Sequence, residues 1–187
     1  MSEQLPTNGE KSIREPEPVN LFAACDVVAI LKERNWLNGD PGEKQMAWCA
    51  RAAALLGPQV LDKAGLADLL GLVFQYDGRT ILQSTDAHVA MSRYAARDVL
   101  RHLALHLLDE TSLTGERFSE IITQLKEGLD IRGRELFQPI RLALAGRSGE
   151  GALDRVILLL EDAAAAGFAV PVKTARERIL EFCSVFE

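Results

Sequence analysis

No stretch of this sequence approaches about 18 uninterrupted apolar residues, so a membrane-spanning helix is excluded although 48% of the side chains are apolar. The opening MSEQLPTNGEKSIREPEP lacks the apolar segment of a secretory signal, which makes the cytoplasm the expected location. Cysteine is scarce. Cys25, Cys49 and Cys183 are odd in number and widely spaced, the pattern of reduced, mostly buried thiols rather than of a disulfide framework. Aromatic residues make up only 6%, so Trp36 and Trp48 are expected to anchor their own helices in the core, with base stacking as the alternative use. No Gly-rich phosphate loop of either standard type occurs, and no segment alternates with period two. The expected fold class is therefore all-α. A net charge of −6 argues against a nonspecific polyanion binder.

What is present is helical periodicity. Residues 1–19 are polar, rich in Pro and Glu and without a period, and are expected to form a disordered tail. Asn20 is placed to cap a helix with Leu21, Cys25, Val28 and Leu31 on one face. Asp40 and Pro41 then start a second helix that runs to Leu56. A third helix spans Leu61 to Phe74, and a long one spans Asp86 to Asp109 with Tyr94, Leu100, Leu103 and Leu107 on its buried side. Thr114 caps the next, which carries Phe118, Ile121, Ile122 and Leu125 and is closed by Gly128. Leu153, Val156, Ile157 and Leu160 mark another up to Gly167, and Thr174 caps the last. Two adjoining helical bundles are expected, residues 20–112 and 113–187, with a boundary near 111–114. His102 and His106 lie four apart on one helix, but no third ligand is near and apolar residues surround them. No metal and no cofactor is expected. Glu116 and Glu120 share a face, a spacing that is routine on solvated helices. Arg97 and Arg101, on the polar side of the long helix, are placed to meet a partner helix.

The stretch Gly133 to Gly146, GRELFQPIRLALAG, differs from all of these. Pro139 sits inside an apolar helical run, removing one backbone donor and favouring a bend. Arg141 follows among Ile140, Leu142 and Leu144, and an arginine in such surroundings needs a partner or a route to water. It is either a structural tie or a contact for an anion. Between Arg132 and Arg147 four arginines face one acid, Glu135, so an acidic protein carries a local positive stretch there.

Gly133, Arg134, Leu136, Phe137, Pro139, Ile140, Arg141, Ala143, Leu144 and Gly146 reproduce the signature G-[KR]-x-L-[FM]-x-P-[LI]-R-x-A-L-T-G, with Ala145 in place of its Thr. The stretch thus resembles the anticodon-binding C-terminal part of bacterial glutamyl-tRNA synthetases, a class I aminoacyl-tRNA synthetase family. The order of elements from Phe22 to Phe186 is similar to both helical domains of that anticodon-binding half. The family's catalytic half carries a His-Ile-Gly-His-like sequence and a Lys-x-Ser-Lys loop. Neither occurs here: His88 also lacks such neighbours, and Lys11-Ser12-Ile13-Arg14 lacks the second lysine. The resemblance therefore implies RNA recognition without aminoacylation by this chain alone.

By that resemblance Arg141 matches a family arginine that contacts an anticodon base, a role suited to a bidentate guanidinium. Arg134 and Arg147 would assist it. The family's Thr-Pro and following leucine, in the loop before the closing helix, correspond to Glu150, Gly151 and Leu153; a carboxylate there would repel phosphate. A further family arginine beside a proline corresponds to Gln59 next to Pro58. Two readings stay open, with a third behind them. The first is a standalone, non-catalytic tRNA-binding module that assists a separate synthetase catalytic domain in trans. The second is a helical scaffold that has lost RNA binding and serves protein interactions. The third is the C-terminal piece of a split synthetase.

Overall fold

A computed structural model describes residues 19–109 and 112–186, and among them every regular element is helical. The chain runs α1 (Ala24–Glu33), α2 (Glu43–Leu56), a short 3-10 turn (Gly57–Gln59), α3 (Lys63–Phe74), α4 (Gly78–Leu82), α5 (Thr85–Met91) and α6 (Ala96–Leu108). It continues with α7 (Gly115–Leu129), α8 (Arg134–Ala145), α9 (Ala152–Ile157), α10 (Leu160–Ala166) and α11 (Ala175–Phe186). The fold is all-α. No helix among the described residues is long and apolar enough to cross a membrane. The expectation for the tail falls on residues 1–18, outside the described part, and on Val19, which is exposed and not helical.

Sequence chemistry explains where most helices begin. Asp62, Asp77, Ser84 and Thr114 each accept a hydrogen bond from a backbone N–H two or three residues into the following helix. Thr174 and Glu177 form a reciprocal capping box ahead of α11. Elsewhere the caps differ from expectation. Asp40 accepts from Lys32 Nζ at 3.2 Å, and α2 starts later, after Gly42, whose N–H donates to Gln45 Oε1 at 3.0 Å. Asn20 holds the approach to α1 rather than capping it: its Oδ1 accepts from Phe22 N, and its Nδ2 donates to the Ala53 carbonyl at 3.1 Å. Gly57 permits that approach, since a Cβ there would lie 2.0 Å from Asn20 Oδ1. Gly128, expected to close α7, lies inside it: the helix runs to Leu129, and Asp130, with φ of 51°, takes the left-handed position that follows.

Two helices expected as single runs are broken, and for the first the reason is visible in the phase of its apolar residues. Ala87 and Ala90 define the buried side of α5. A continuous helix would carry that side on through Tyr94 to Arg97, Asp98 and Arg101. The break at residues 92–95 resets the phase, so Val99, Leu100, Leu103 and Leu107 enter the core while Tyr94 is left fully exposed, against expectation. The Ser92 hydroxyl assists by donating to the Val89 carbonyl at 2.9 Å. Between α9 and α10 the chain turns at Leu158 and Leu159, and the Leu159 carbonyl accepts from Trp48 Nε1 at 3.0 Å. Cys25 also departs from expectation. The buried face of α1 is Val27, Ile30 and Leu31, which puts Cys25 on the exposed side; Cys49 is buried and Cys183 partly so.

One core cluster runs through the molecule. Trp36 stacks on Phe74 at 4.8 Å, while Trp48 meets Phe74 and Phe168 edge-on at 5.6 and 5.0 Å. Here α2 packs on α1, α9 and α10, and α3 packs on α9, so early and late segments share one layer. In the other layer α8 lies against α5, α6, α9 and α11, and α11 also covers α4. A boundary of folding units near residues 112 and 113 is thus a proposal about assembly, and the packing crosses that point.

The layers are joined at Arg178, a fully buried residue with no carboxylate partner among the described residues. Its guanidinium donates to the carbonyls of Leu72 (3.0 Å), Val73 (2.6 Å), Leu144 (2.8 Å) and Lys173 (3.1 Å), and it lies 4.4 Å from the centre of the Tyr76 ring. Burial lowers its pKa to about 10, so it stays charged at neutral pH. Replacing Arg178 by Met strands these carbonyls in the core and is expected to remove roughly 3 kcal/mol of stability. Urea unfolding followed by circular dichroism measures it, and a loss below about 1 kcal/mol would contradict the role assigned to the guanidinium.

Candidate functional site

The signature stretch forms α8. Gly133, with φ of 61°, turns the chain into it, and Gly146, with φ of 84°, ends it while donating to the carbonyls of Arg141 and Leu142 at 3.1 and 3.0 Å. The helix continues through the buried Pro139. Because proline has no N–H, the carbonyl of Glu135, on the exposed first turn, lacks its intrahelical partner. Residues 134, 137, 138 and 141 share one face. Together with the loop Gly149 to Gly151 they line an open cleft of about 480 Å³.

Arg141 sits at the base of this cleft. Its Nε and Nη2 each donate to Asp154 at 2.7 Å, a two-pronged pair with the first turn of α9. Its Nη1 donates to the Gly149 carbonyl at 2.7 Å. The Phe137 ring supports the guanidinium from 4.8 Å, and the arginine side chain is only 13% exposed. Of the two roles open to it, the structural tie is the one whose partners are visible. Leu153 faces inward and is 5% exposed; a Cβ on Gly149 would come within 2.9 Å of it, so Leu153 props the loop from beneath.

The other residues singled out from the sequence divide into two groups. Arg134, Glu150 and Gly151 are exposed around the same cleft as Arg141. Arg147 and Gln59 do not line it. Arg147 pairs with both carboxylate oxygens of Asp68 on α3, and Gln59 is exposed at the end of the 3-10 turn. The positive stretch counted along the sequence is accordingly halved in space. Asp154 offsets Arg141 and Asp68 offsets Arg147, whereas Arg132 and Arg134 have no ion pair among the described residues. The Asp68 carboxyl is held below the usual range, chiefly by the hydrogen bond from Arg147 and against partial burial.

Asp154, Asp68 and Gln138 were not singled out from the sequence. The rule that a part-buried arginine needs a partner implied that something like Asp154 exists, but no local signal located it. Gln138 borders the cleft with its Oε1 buried and without a partner among the described residues. His106 is partly desolvated, which with Arg117 and His102 nearby lowers its pKa. Among the described residues no three or more His, Cys, Asp or Glu side chains are grouped as a metal would require.

Residues 26–162 match a protein-family model described as an anticodon binding domain. The chain is also 27% identical over 122 residues to Glutamate--tRNA ligase 2 of Syntrophus aciditrophicus (strain SB). That alignment covers 65% of this chain and 24% of the relative, so the chain spans about a quarter of that protein's length. No solved structure matches.

Two outcomes are expected from the ion pairs. In a double-mutant cycle of Arg141→Ala and Asp154→Ala, unfolding free energies should reveal a coupling of about 1 to 3 kcal/mol; additivity within about 0.3 kcal/mol would show that the tie contributes nothing. For Asp68 the depressed pKa sets the sign: its stabilisation is present above the ordinary carboxylate range and is lost as pH falls through the depressed value. Arg147→Gln should therefore differ from wild type at neutral pH, by at most about 1 kcal/mol because both partners are half exposed, and converge with it in acid. Chemical unfolding across pH reads both limits.

Proposed function

Because this chain belongs to the anticodon binding domain family, we propose that it is a tRNA-binding module that seats the anticodon loop in the cleft between the first turn of α8 and the loop at residues 149–151. The observation that carries this reading is the meeting of Arg134, Arg141, Glu150 and Gly151 around one open cleft, in a chain whose family model covers them all. Arg134 supplies a cation without an ion pair among the described residues, at the positive end of a twelve-residue helix. Arg141, immobilised by Asp154 and Gly149, shapes the floor. Glu150 opposes phosphate, so a base edge rather than the sugar-phosphate backbone faces that side of the cleft. The Phe137 ring and the Arg141 guanidinium form a flat pair of the kind on which bases stack.

The family model that matches describes an anticodon-binding domain, and we read the module as non-catalytic. Aminoacylation would come from a separate synthetase catalytic domain that the module assists in trans, and the cytoplasm would be its place of work. A second reading has one specific observation in its favour. The Arg141 and Arg147 guanidinium groups are already engaged with Asp154 and Asp68, as in a scaffold that no longer needs them for RNA. In that case the helical surface serves protein partners instead.

Binding to bulk tRNA at two salt concentrations separates the readings. Micromolar binding at low salt that weakens as salt rises is expected. Arg134→Ala should weaken it about fivefold and reduce the salt slope by about 0.7, the contribution of one single-strand phosphate contact. A folded protein with no affinity at low salt would retire the RNA reading in favour of the scaffold.

A further inference from the structure

The outer face of α6 carries Arg97, Arg101, Ala104 and Leu105 at helical spacing, and it meets α11 along a groove of about 490 Å³ floored by Leu100 and Phe186. The groove is open. Leu105 is 62% exposed at its rim, and Leu108 and Val185 also reach the surface. The Arg97 guanidinium lies 5.1 Å from the centre of the Phe186 ring. Among the described residues neither Arg97 nor Arg101 has a carboxylate partner, whereas Arg51, Arg117, Arg141 and Arg147 all do. Two unpaired cations beside an apolar trough repel a basic ligand and waste their field on a neutral one. The trough, lined by aliphatic and aromatic carbon, suits side chains better than a sugar-phosphate strand. The complementary ligand is an acidic segment with adjoining apolar residues.

This chain carries such a segment. Glu15-Pro16-Glu17-Pro18 leads into Val19 and Leu21, which are 76% and 65% exposed despite being apolar. In an extended pairing, carboxylates two residues apart are spaced by roughly 6.6 Å. Arg97 and Arg101, one turn apart on α6, are separated by a rise of about 6 Å. The two pairs thus match in sign and in spacing. The segment is anchored on α2 by the bond from Asn20 Nδ2 to the Ala53 carbonyl, and α2 packs chiefly on α1, α9 and α10, while the groove belongs to α6 and α11. Five residues back from that anchor reach at most about 17 Å.

We propose that the groove between α6 and α11 binds the N-terminal arm, residues 15–21, of a second copy of this chain, with Glu15 and Glu17 on Arg97 and Arg101 and with Val19 and Leu21 on the apolar trough. Each copy offers one arm and one groove, so reciprocal exchange closes a twofold dimer. The surface is separate from the cleft at α8, and the dimer does not depend on RNA binding.

Sedimentation equilibrium of the full chain tests this. Wild type should dimerise as its concentration rises from micromolar to millimolar. The pair Arg97→Glu and Arg101→Glu should raise the dissociation constant at least about tenfold, and the pair Glu15→Arg and Glu17→Arg should do the same. Thermal melting of both variants checks that the fold is kept. Mixed together, the two charge-reversed proteins should associate more tightly than either does alone, because reversed arm meets reversed groove. A wild type that is monomeric throughout, reversals without effect, or a mixture that fails to associate would each overturn the proposal.

Discussion

The buried guanidinium of Arg178 is the constraint on which the arrangement of helices depends. The last turns of α3 and α8 each end in carbonyl groups with no intrahelical donor, and each concentrates the negative end of a helix dipole. Both turns point at the same place. A cation there satisfies carbonyls of Leu72, Val73 and Leu144 at once, and it does so from the first turns of α11, with Lys173 supplying the fourth acceptor. Tyr76 completes the node: its ring lies against the guanidinium, and its hydroxyl donates to the Ala143 carbonyl. Burial drives the Tyr76 pKa upward, so the hydroxyl keeps the proton it donates. A carboxylate partner would have competed for the same donors. With backbone carbonyls as its acceptors, one side chain gathers three separate segments of backbone.

This node fixes the far end of α8, and the Arg141 tie to Asp154 and Gly149 fixes its middle. The near end, at Gly133 and Arg134, is the part left to solvent. A helix pinned at two points presents its remaining end without further ordering, and binding there loses less conformational freedom than binding to a mobile loop. The loop opposite is held too, since Gly149 is bonded to Arg141 and rests on Leu153. The cleft is therefore largely formed in advance, and its exposed charges, Arg134 and Glu150, are the parts free to respond to a ligand.

Helix existence was legible because apolar spacing and capping residues agree, as at Thr114 with Phe118, Ile121 and Leu125. Helix continuity was less so. Between Ala90 and Val99 every residue is compatible with one long helix, and only the positions of neighbouring segments decide that the phase must reset, which is why Tyr94 was assigned to the wrong side. The need for a partner at Arg141 followed from desolvation alone, yet Asp154 could be identified only once α8 and α9 were placed together. Arg178 was missed entirely. Along the sequence it is one charged residue in a helix rich in charged residues, and nothing local distinguishes an arginine that will collect carbonyls from one that will face water. The positive stretch from Arg132 to Arg147 misled for a related reason: charge counted along a chain ignores Asp68, far away in sequence and paired in space.

The same reasoning changes what the signature itself signifies. Gly133 and Gly146 adopt positive φ, Leu136 and Ile140 are wholly buried, and Leu144 contributes a carbonyl to Arg178. Phe137 supports Arg141, and Arg141 ties two elements together. Nearly every matched position thus has a packing or backbone reason to be what it is, whether or not RNA is ever bound. Agreement with the signature speaks first for the fold. The functional argument has to rest on positions that packing leaves free, and around the cleft these are Arg134, Glu150 and Gly151. At those positions a cation is kept, a carboxylate stands in the loop, and a glycine stands where the resemblance would place a proline. An arginine beside a helix start, without an ion pair among the described residues, favours an anionic ligand, while the carboxylate limits how it can lie. On the proposed reading, they suit a ligand that brings phosphate to one side of the cleft and hydrogen-bond donors to the other, as a nucleotide in a single-stranded loop does.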